Sequence, residues 1–398
     1  MERETTGTAV LGFGIAGAWT AYELARHGEP VTVIDRSDGV ASSLTNQKWK
    51  HSGLLYSRRD LAAKMWSAYT GMLPIERGHL QRVGARFLST GEQTLQERDS
   101  EWSEWGIPYK PIGAASVPAH SPLGRPACSG GFLTPDSVMD FPALLADLRR
   151  ECAEYGARLL MPATIRGLVR DGDRVTGVIY SAGGEEKLLC SRHCIVAMGA
   201  WTGQLLQEIG IALPVRNWKS HVLTVRGELV SHITAWLDDT RLTLVPYKQT
   251  TLIADTRRVL VEDGSDRSPD HDAVAALKAD LFTCFPALPP KDLEIIGVHG
   301  CIKTEVCTAS SRNQDMAVFD EAFLGVRGLT AIFPGKGSLG YALAQDAAAR
   351  VIWANAWQEG GNAIARSFPV RAGHFSAQEY PVPVGLQQEQ GMASPVPQ

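Results

Sequence analysis

Apolar residues recur along this chain with two periods, and its first 35 residues contain both. Residues 8–11 (TAVL) form a short continuous apolar run, residues 18–27 repeat apolar positions at helical spacing, and residues 31–34 (VTVI) form a second β-branched run. That order predicts a strand, a helix and a strand. The helical period returns at 60–82, through Leu61, Met65, Ala68, Met72 and Leu73, and again at 93–105, 140–155, 204–209, 272–285 and 341–357. Strand patterns fall at 86–90, 158–161, 163–169, 175–181, 194–198, 221–225, 242–245, 251–254, 259–261, 293–298, 316–326 and 329–333. Asp171-Gly172-Asp173 marks a hairpin turn, 106–135 reads mostly as loop, and 262–269 is a polar loop.

Strand–helix units thus open the chain, return over 140–203 and close it over 329–357, with antiparallel material between them. The predicted class is α/β plus α+β. A Rossmann-like nucleotide-binding domain is assembled from segments 6–57, 137–212 and 322–366, with an inserted antiparallel-sheet substrate domain from 58–136 and 213–321. Residues 367–398, rich in Pro and Gln, read as a flexible tail.

Composition narrows the classes. The chain has 398 residues, 44% hydrophobic and 21% charged, with a net charge of −4. That balance, with no run of Lys or Arg, argues against a nucleic-acid partner or a polybasic membrane patch. There is no apolar stretch of about eighteen residues to predict a membrane span, and the polar start MERETTGT does not read as a signal peptide. Seven scattered cysteines fit reduced thiols in a cytoplasmic protein; zinc-ligand spacing is absent, so no metal is expected.

Gly12-Phe13-Gly14-Ile15-Ala16-Gly17 lies between the first strand and its helix, and Asp35 ends the second strand 21 residues beyond Gly14. This is the dinucleotide fingerprint in its required setting. Gly12 allows the tight turn, Gly14 lets the backbone approach a pyrophosphate, and Gly17 lets the helix pack on the strand. The helix start, at Ile15 and Ala16, offers free N–H groups and a positive dipole end to phosphates. Asp35 suits a ribose diol. The stretch does not distinguish FAD from NAD.

Two further Gly-rich strand-to-helix junctions follow, at Gly199-Ala200-Trp201 and at Pro334-Gly335-Lys336-Gly337-Ser338-Leu339-Gly340. If the three strands share one sheet, the junctions meet at its carboxyl edge, where open α/β folds bind ligands. Lys336 at a helix N-terminus suits negative charge on a reduced flavin. An exposed lysine in a Gly-rich loop fits the same spacing.

The opening GFGIAGAWTAYELARHGEPVTVIDR, the strand CIVAMGAWT and the closing FPGKGSLGYALAQDAAARVI resemble, in the same order, the FAD-dependent oxidoreductases of the D-amino-acid oxidase superfamily. That group includes glycine and sarcosine oxidases, glycerol-3-phosphate dehydrogenase and L-2-hydroxyglutarate oxidase. The resemblance implies FAD as the cofactor of the nucleotide domain. It implies that Gly12, Gly14, Ile15, Ala16 and Gly17 hold the pyrophosphate, with Ser42 and Ser43 near the phosphates and Asp35 and Arg36 at the adenosine. It also implies a backbone contact from Ile165 to the adenine region, a second junction at Gly199 and Trp201, and a loop of Gly335, Lys336, Gly337, Ser338 and Gly340 under the flavin's pyrimidine edge.

The segment SLTNQKWKHSGLLYS resembles the stretch of L-2-hydroxyglutarate oxidase and glycerol-3-phosphate dehydrogenase in which a histidine lies by the flavin. His51 is therefore the first catalytic candidate, a base that takes a proton while hydride leaves the substrate, and Lys336 is the second. A structural histidine in a loop is the alternative. Lys50, Tyr247 and Lys303 are candidate substrate contacts, Lys303 standing where family members carry an arginine for a substrate carboxylate; His221, Lys248 and Arg257 are secondary ones. By pattern alone, Lys48, Lys50 and Tyr56 read as solvated surface. Cys301 falls near the position where sarcosine oxidases attach FAD through sulfur, and reads as a buried structural cysteine.

The expectation is an FAD enzyme that removes a hydride from a C–N bond of a small amine or amino acid, with oxygen or another acceptor reoxidising the flavin. Oxidation of a 2-hydroxy acid or other alcohol is the alternative within that chemistry. A non-catalytic flavin-binding subunit is the alternative of another class. The split order of the nucleotide segments argues against a continuous NAD domain.

Overall fold

The computed structural model describes residues 2–37, 41–119, 123–238, 242–307, 312–313 and 315–358; the predicted tail lies outside them. β1 (Glu2–Leu11) leads into α1 (Ile15–Arg26) and β2 (Val31–Ile34). Val10 and Val33 share a core with α1, α2 (Phe141–Glu154) and α3 (Gly340–Gln358), whereas Ala9, Leu11 and Ile34 enter a second core on the opposite side. Side chains alternate across a strand, so a sheet covered on both faces needs apolar residues in both phases. This is why TAVL and VTVI read as continuous runs.

In the sheet β2 is flanked by β3 (Arg158–Leu160), and on the other side of β1 lie β6 (Glu185–Val196) and then β9 (Leu329–Phe333). Five neighbouring strands therefore run parallel in the order β3-β2-β1-β6-β9. The hairpin of β4 (Thr164–Asp171) and β5 (Arg174–Ala182) extends the first half of β6 antiparallel, and Ala317–Phe319 pairs antiparallel with β9. Cys190 and Cys194 lie within β6, which begins nine residues earlier than the predicted 194–198.

Two predicted elements differ. The helix expected over 60–82 spans Arg59–Thr70, because Pro74 starts a separate turn, Pro74–Arg77, and Leu80–Gln81 is extended. The strand expected over 316–326 ends at Phe319, where Asp320 accepts the Phe323 N–H at 3.1 Å and caps the short helix Glu321–Leu324.

The second large sheet is built around β7 (Val215–Arg226) and β8 (Ile295–Cys307), its neighbours antiparallel except where Ile233–Trp236 lies beside Ala85–Ser89. One face presents Phe87, Phe132, Val222, Val245 and Cys301 to Trp49, Leu54 and Trp102. The other, with Leu223, Val225, Leu244 and Ile253, is covered by Leu277 and Leu281 of the helix His271–Cys284. Trp49–Lys50, Ser137–Met139 and Leu80–Gln81 form a third, small sheet.

The closest approach in the first βα unit is at Gly17, where a Cβ would stand 1.9 Å from the Gly12 carbonyl oxygen. Gly17→Ala is expected to push α1 off β1 and to cost roughly 3 kcal/mol or more, seen as a lowered Tm or insoluble protein. Gly14→Ala, whose Cβ would meet nothing nearer than Ser43 Oγ at 3.4 Å, is expected to stay within about 1 kcal/mol of the parent in thermal unfolding of the apoprotein.

Candidate active site

β1, β6 and β9 are adjacent in the sheet, and the turns that leave them, at Gly12, Gly199 and Gly335, line one cavity of about 650 Å³. Asp35, Arg36, Ile165, Arg166 and Trp201 line it beyond the end of β2. His51, Cys301, Lys303, Thr304, Lys336 and Gly337 line it where β8 meets the last junction. Gly14, Ile15, Ala16, Ser42 and Ser43 contribute to the same wall.

The polar groups of the first junction are already organised. Phe13 N–H donates to Asp35 Oδ2 at 2.8 Å and Ser37 N–H to Oδ1 at 2.6 Å, so the carboxylate that ends β2 ties down the turn after β1. Ile15 N–H donates to Ser43 Oγ at 2.9 Å, which corrects the expectation that this amide is free for a phosphate. The Ser42 hydroxyl donates to the Ile302 carbonyl of β8, joining the two lobes of the cavity wall. The Arg36 guanidinium lies over the Trp201 ring, 4.3 Å from its centroid.

His51 sits between two aromatic rings, tilted at 33° on Trp49 with centroids 4.4 Å apart and edge-on to Tyr56 at 5.4 Å. Its backbone N–H donates to Ser338 Oγ at 3.0 Å, and its Nδ1 is buried with no hydrogen-bond partner among the described residues. Burial, and then the charges of Lys336, Lys303 and Lys50, hold the imidazole well below its usual pKa, so the ring is neutral near pH 7. Lys336 Nζ lies 4.0 Å from Glu305 Oε1 and 5.6 Å from the centre of the Tyr56 ring, while Arg258 pairs with the same buried Glu305.

Several expected contacts lie elsewhere. Lys50 is buried, donating to Glu76 Oε1 at 2.5 Å and to the Ser338 carbonyl at 3.0 Å, so it is not available to a substrate. Ser338 is engaged by both Lys50 and His51 and does not line the cavity. Tyr247 donates to Asp140 Oδ1 at 2.8 Å and faces a separate open cleft with His79, Glu228 and Lys248. Gly17 and Gly340 are packing positions: a Cβ on Gly340 would meet Ile15 Cγ1 at 3.0 Å. His221 accepts the Asp270 N–H, Arg257 pairs with Asp255 and Asp280, and Lys248 pairs with Asp140. Lys48, Lys50 and Tyr56, read from pattern as solvated, are all buried; Lys48 Nζ donates to the Leu44 carbonyl at 2.5 Å.

The family described as FAD dependent oxidoreductase matches residues 8–350. The chain belongs to that family. Glycine oxidase of Pseudomonas aeruginosa is 27% identical over 304 residues, covering 70% of this chain and 78% of that one. D-amino acid dehydrogenase of Bradyrhizobium diazoefficiens is 26% identical over 281 residues, covering 54% of this chain and 66% of that one. In fold, the chain is similar to L-proline dehydrogenase from P. horikoshii, with a TM-score of 0.72 at 18% identity over 87% of this chain and 93% of that one.

The residues present fit the FAD of this oxidoreductase family. Gly12 and Gly14 line the cavity without side chains of their own, the Arg36–Trp201 pair offers a flat wall, and the orphaned Nδ1 belongs to His51 in the far group of lining residues. The same cavity includes residues that no motif marked. Trp49 and Gln47 fall in the segment already singled out, but Phe141, Arg149, Arg166 and Thr304 arrive from α2, β4 and β8 by tertiary packing and carry no local signal. Among the described residues, no helix is long and apolar enough to cross a membrane.

Lys48 supplies a pH test. Burial lowers its pKa from 10.5 to about 8, so between those values the unfolded chain binds more protons than the folded one and stability rises with pH. Lys48→Met is expected to abolish that rise and to increase Tm at pH 7, by roughly 1–3 kcal/mol of stability. Thermal unfolding of both proteins between pH 7 and pH 10.5 reads the effect.

Proposed function

We propose that this FAD-dependent oxidoreductase removes a hydride from the C–N bond of a small amine or amino acid, and that oxygen or another acceptor takes the electrons afterwards. The parallel sheet and its junctions act as a Rossmann-like FAD-binding domain built from segments 6–57, 137–212 and 322–366. The antiparallel sheet, from 58–136 and 213–321, acts as the substrate domain. The names of the relatives, glycine oxidase and D-amino acid dehydrogenase, favour C–N chemistry. Seven free cysteines and no disulfide support a cytoplasmic setting.

The observation that carries the reading is a neutral imidazole, its buried Nδ1 without a hydrogen-bond partner among the described residues, beside two lysines in the wall of the cavity. Bound FAD supplies the hydride acceptor and the visible absorbance. The His51 imidazole takes the proton released from the substrate's ammonium, because its depressed pKa keeps the ring neutral at neutral pH and a neutral ring has one nitrogen able to accept. Lys303 and Lys336 attract and orient a substrate carboxylate, and Lys336 balances negative charge that develops during reduction. Gly12, Gly14 and Ala16 hold the pyrophosphate, with Ser42 and Ser43 beside it. Asp35, Arg36, Ile165 and Trp201 hold the adenosine, Gly199 the centre, and Gly335 and Gly337 the pyrimidine edge.

Purified protein is expected to be yellow and to bleach anaerobically with a member of a panel of amines and amino acids. His51→Asn is expected to slow that bleaching by about 10²- to 10⁴-fold at unchanged FAD content. Bleaching by 2-hydroxy acids or other alcohols instead would move the assignment to C–O oxidation. Bound flavin that no panel member bleaches would make the protein a flavin-binding subunit.

A further inference from the structure

Asp136 is fully buried between the strands Gly130–Thr134 and Ser137–Met139, and Ser137–Met139 pairs with the strand that carries Trp49 and Lys50. Its two oxygens accept four hydrogen bonds. Trp49 Nε1 donates to Oδ1 at 2.8 Å and Ser52 N–H at 3.0 Å; Ser52 Oγ donates to Oδ2 at 2.7 Å and Thr134 Oγ1 at 2.5 Å. Only an ionised carboxylate is an acceptor at every site, so the four converging donors favour the anion and oppose the burial that pushes its pKa up. No Lys, Arg or His forms an ion pair with it among the described residues. A buried carboxylate held by donors alone is a demanding element to keep if the turn between two strands is all that it secures.

Two of its donor residues bracket His51 in the chain. The Trp49 indole, fixed at its N–H by Asp136, is also the ring that lies 4.4 Å from the His51 ring, and Trp49 lines the cavity beside it. From the opposite side His51 N–H is tied to Ser338 Oγ. We infer that Asp136 is a positioning residue for the reaction: by locking the plane of Trp49 and the backbone of Ser52, it fixes the plane that His51 presents to the substrate. The inference rests on the role proposed for His51. Asp136 itself touches neither substrate nor cofactor, since it is absent from the cavity wall.

The test uses the FAD-loaded enzyme, Asp136→Asn, Trp49→Phe and the double variant, with glycine, sarcosine and D-alanine as bleaching probes. Asn keeps the shape of Asp136 without its charge, and Phe keeps the ring on His51 without the N–H. The first readout is independent of turnover: imidazole ¹⁵N resonances of histidine-labelled protein, with the His51 signals identified by their loss in His51→Asn. Both single variants are expected to shift the His51 signals, and to lower the limiting bleaching rate roughly tenfold while the half-saturating probe concentration stays within about twofold. The double variant is expected to be no slower than Asp136→Asn, because the two residues act through one hydrogen bond. His51 signals that stay in place in both variants, or losses confined to Tm and FAD content with an unchanged rate per bound flavin, would overturn the inference. Shifted His51 signals in enzyme whose bleaching is unaffected by His51→Asn would instead refute the catalytic role of His51 and leave the positioning of its ring intact.

Discussion

The site depends on three parallel strands that end level. Leu11 pairs with Val196, and Val196 with Ala331, so β1, β6 and β9 deliver their turns to one edge of the sheet. Each turn leaves the sheet through a glycine with left-handed φ: Gly12 at +101°, Gly199 at +55° and Gly335 at +60°. Side chains with a Cβ would carry strain in these conformations, and at Gly12 a Cβ would also stand 2.7 Å from the Ala197 carbonyl oxygen. The register is protected by the cores above and below the sheet. A slip of one residue would exchange Val10 with Ala9 and Leu11 between the two cores, and every neighbour would have to repack.

At the chemical end the decisive quantity is the balance of buried charge. Lys50 is answered by Glu76, while Lys336 and Arg258 both face Glu305. Lys303 adds another positive charge to the wall. Unit charges about 4 Å apart interact by roughly 4 kcal/mol at an effective dielectric of about 20, enough to fix a protonation state. Burial, reinforced by Lys336, Lys303 and Lys50, keeps His51 neutral, as the proposed proton acceptor must be, and the same lysines make the space attractive to a carboxylate.

The fingerprint was legible because its constraints are local: a turn, a close helix, and an acid that reaches back one strand. Asp35 is bonded to Phe13 across the distance the motif implies. The strand runs 8–11 and 31–34 were legible for the same reason, since burial on both faces leaves no polar phase to confuse the period. Lys50 and Tyr247 were not. A lysine beside a tryptophan and a histidine looks like a site from sequence, and only the arrival of Glu76 from a separate helical turn shows that its charge is spent inside the fold. Asp136 is the converse, an unremarked acid in a Pro-Asp-Ser turn whose four donors come from Thr134 beside it and from the distant segment of Trp49 and Ser52.

The two ends of the cavity are built on opposite principles. Around the first junction the polar groups satisfy one another before any ligand arrives: Asp35 holds Phe13 and Ser37, Ser43 holds Ile15, and Arg36 lies on Trp201. A cradle preformed in this way would bind with little cost of reorganising. Around His51 the satisfaction is incomplete, with a buried ring nitrogen that has no hydrogen-bond partner among the described residues and three lysines whose charges reach the ring. Completing that end is left to the ligand, so stabilisation there increases as the reacting groups reach the geometry that supplies the missing partners. A preformed end can be encoded by a short motif, whereas an unfinished one is defined by what it lacks, which is why a dinucleotide fingerprint is written in the first 35 residues and the reaction is not.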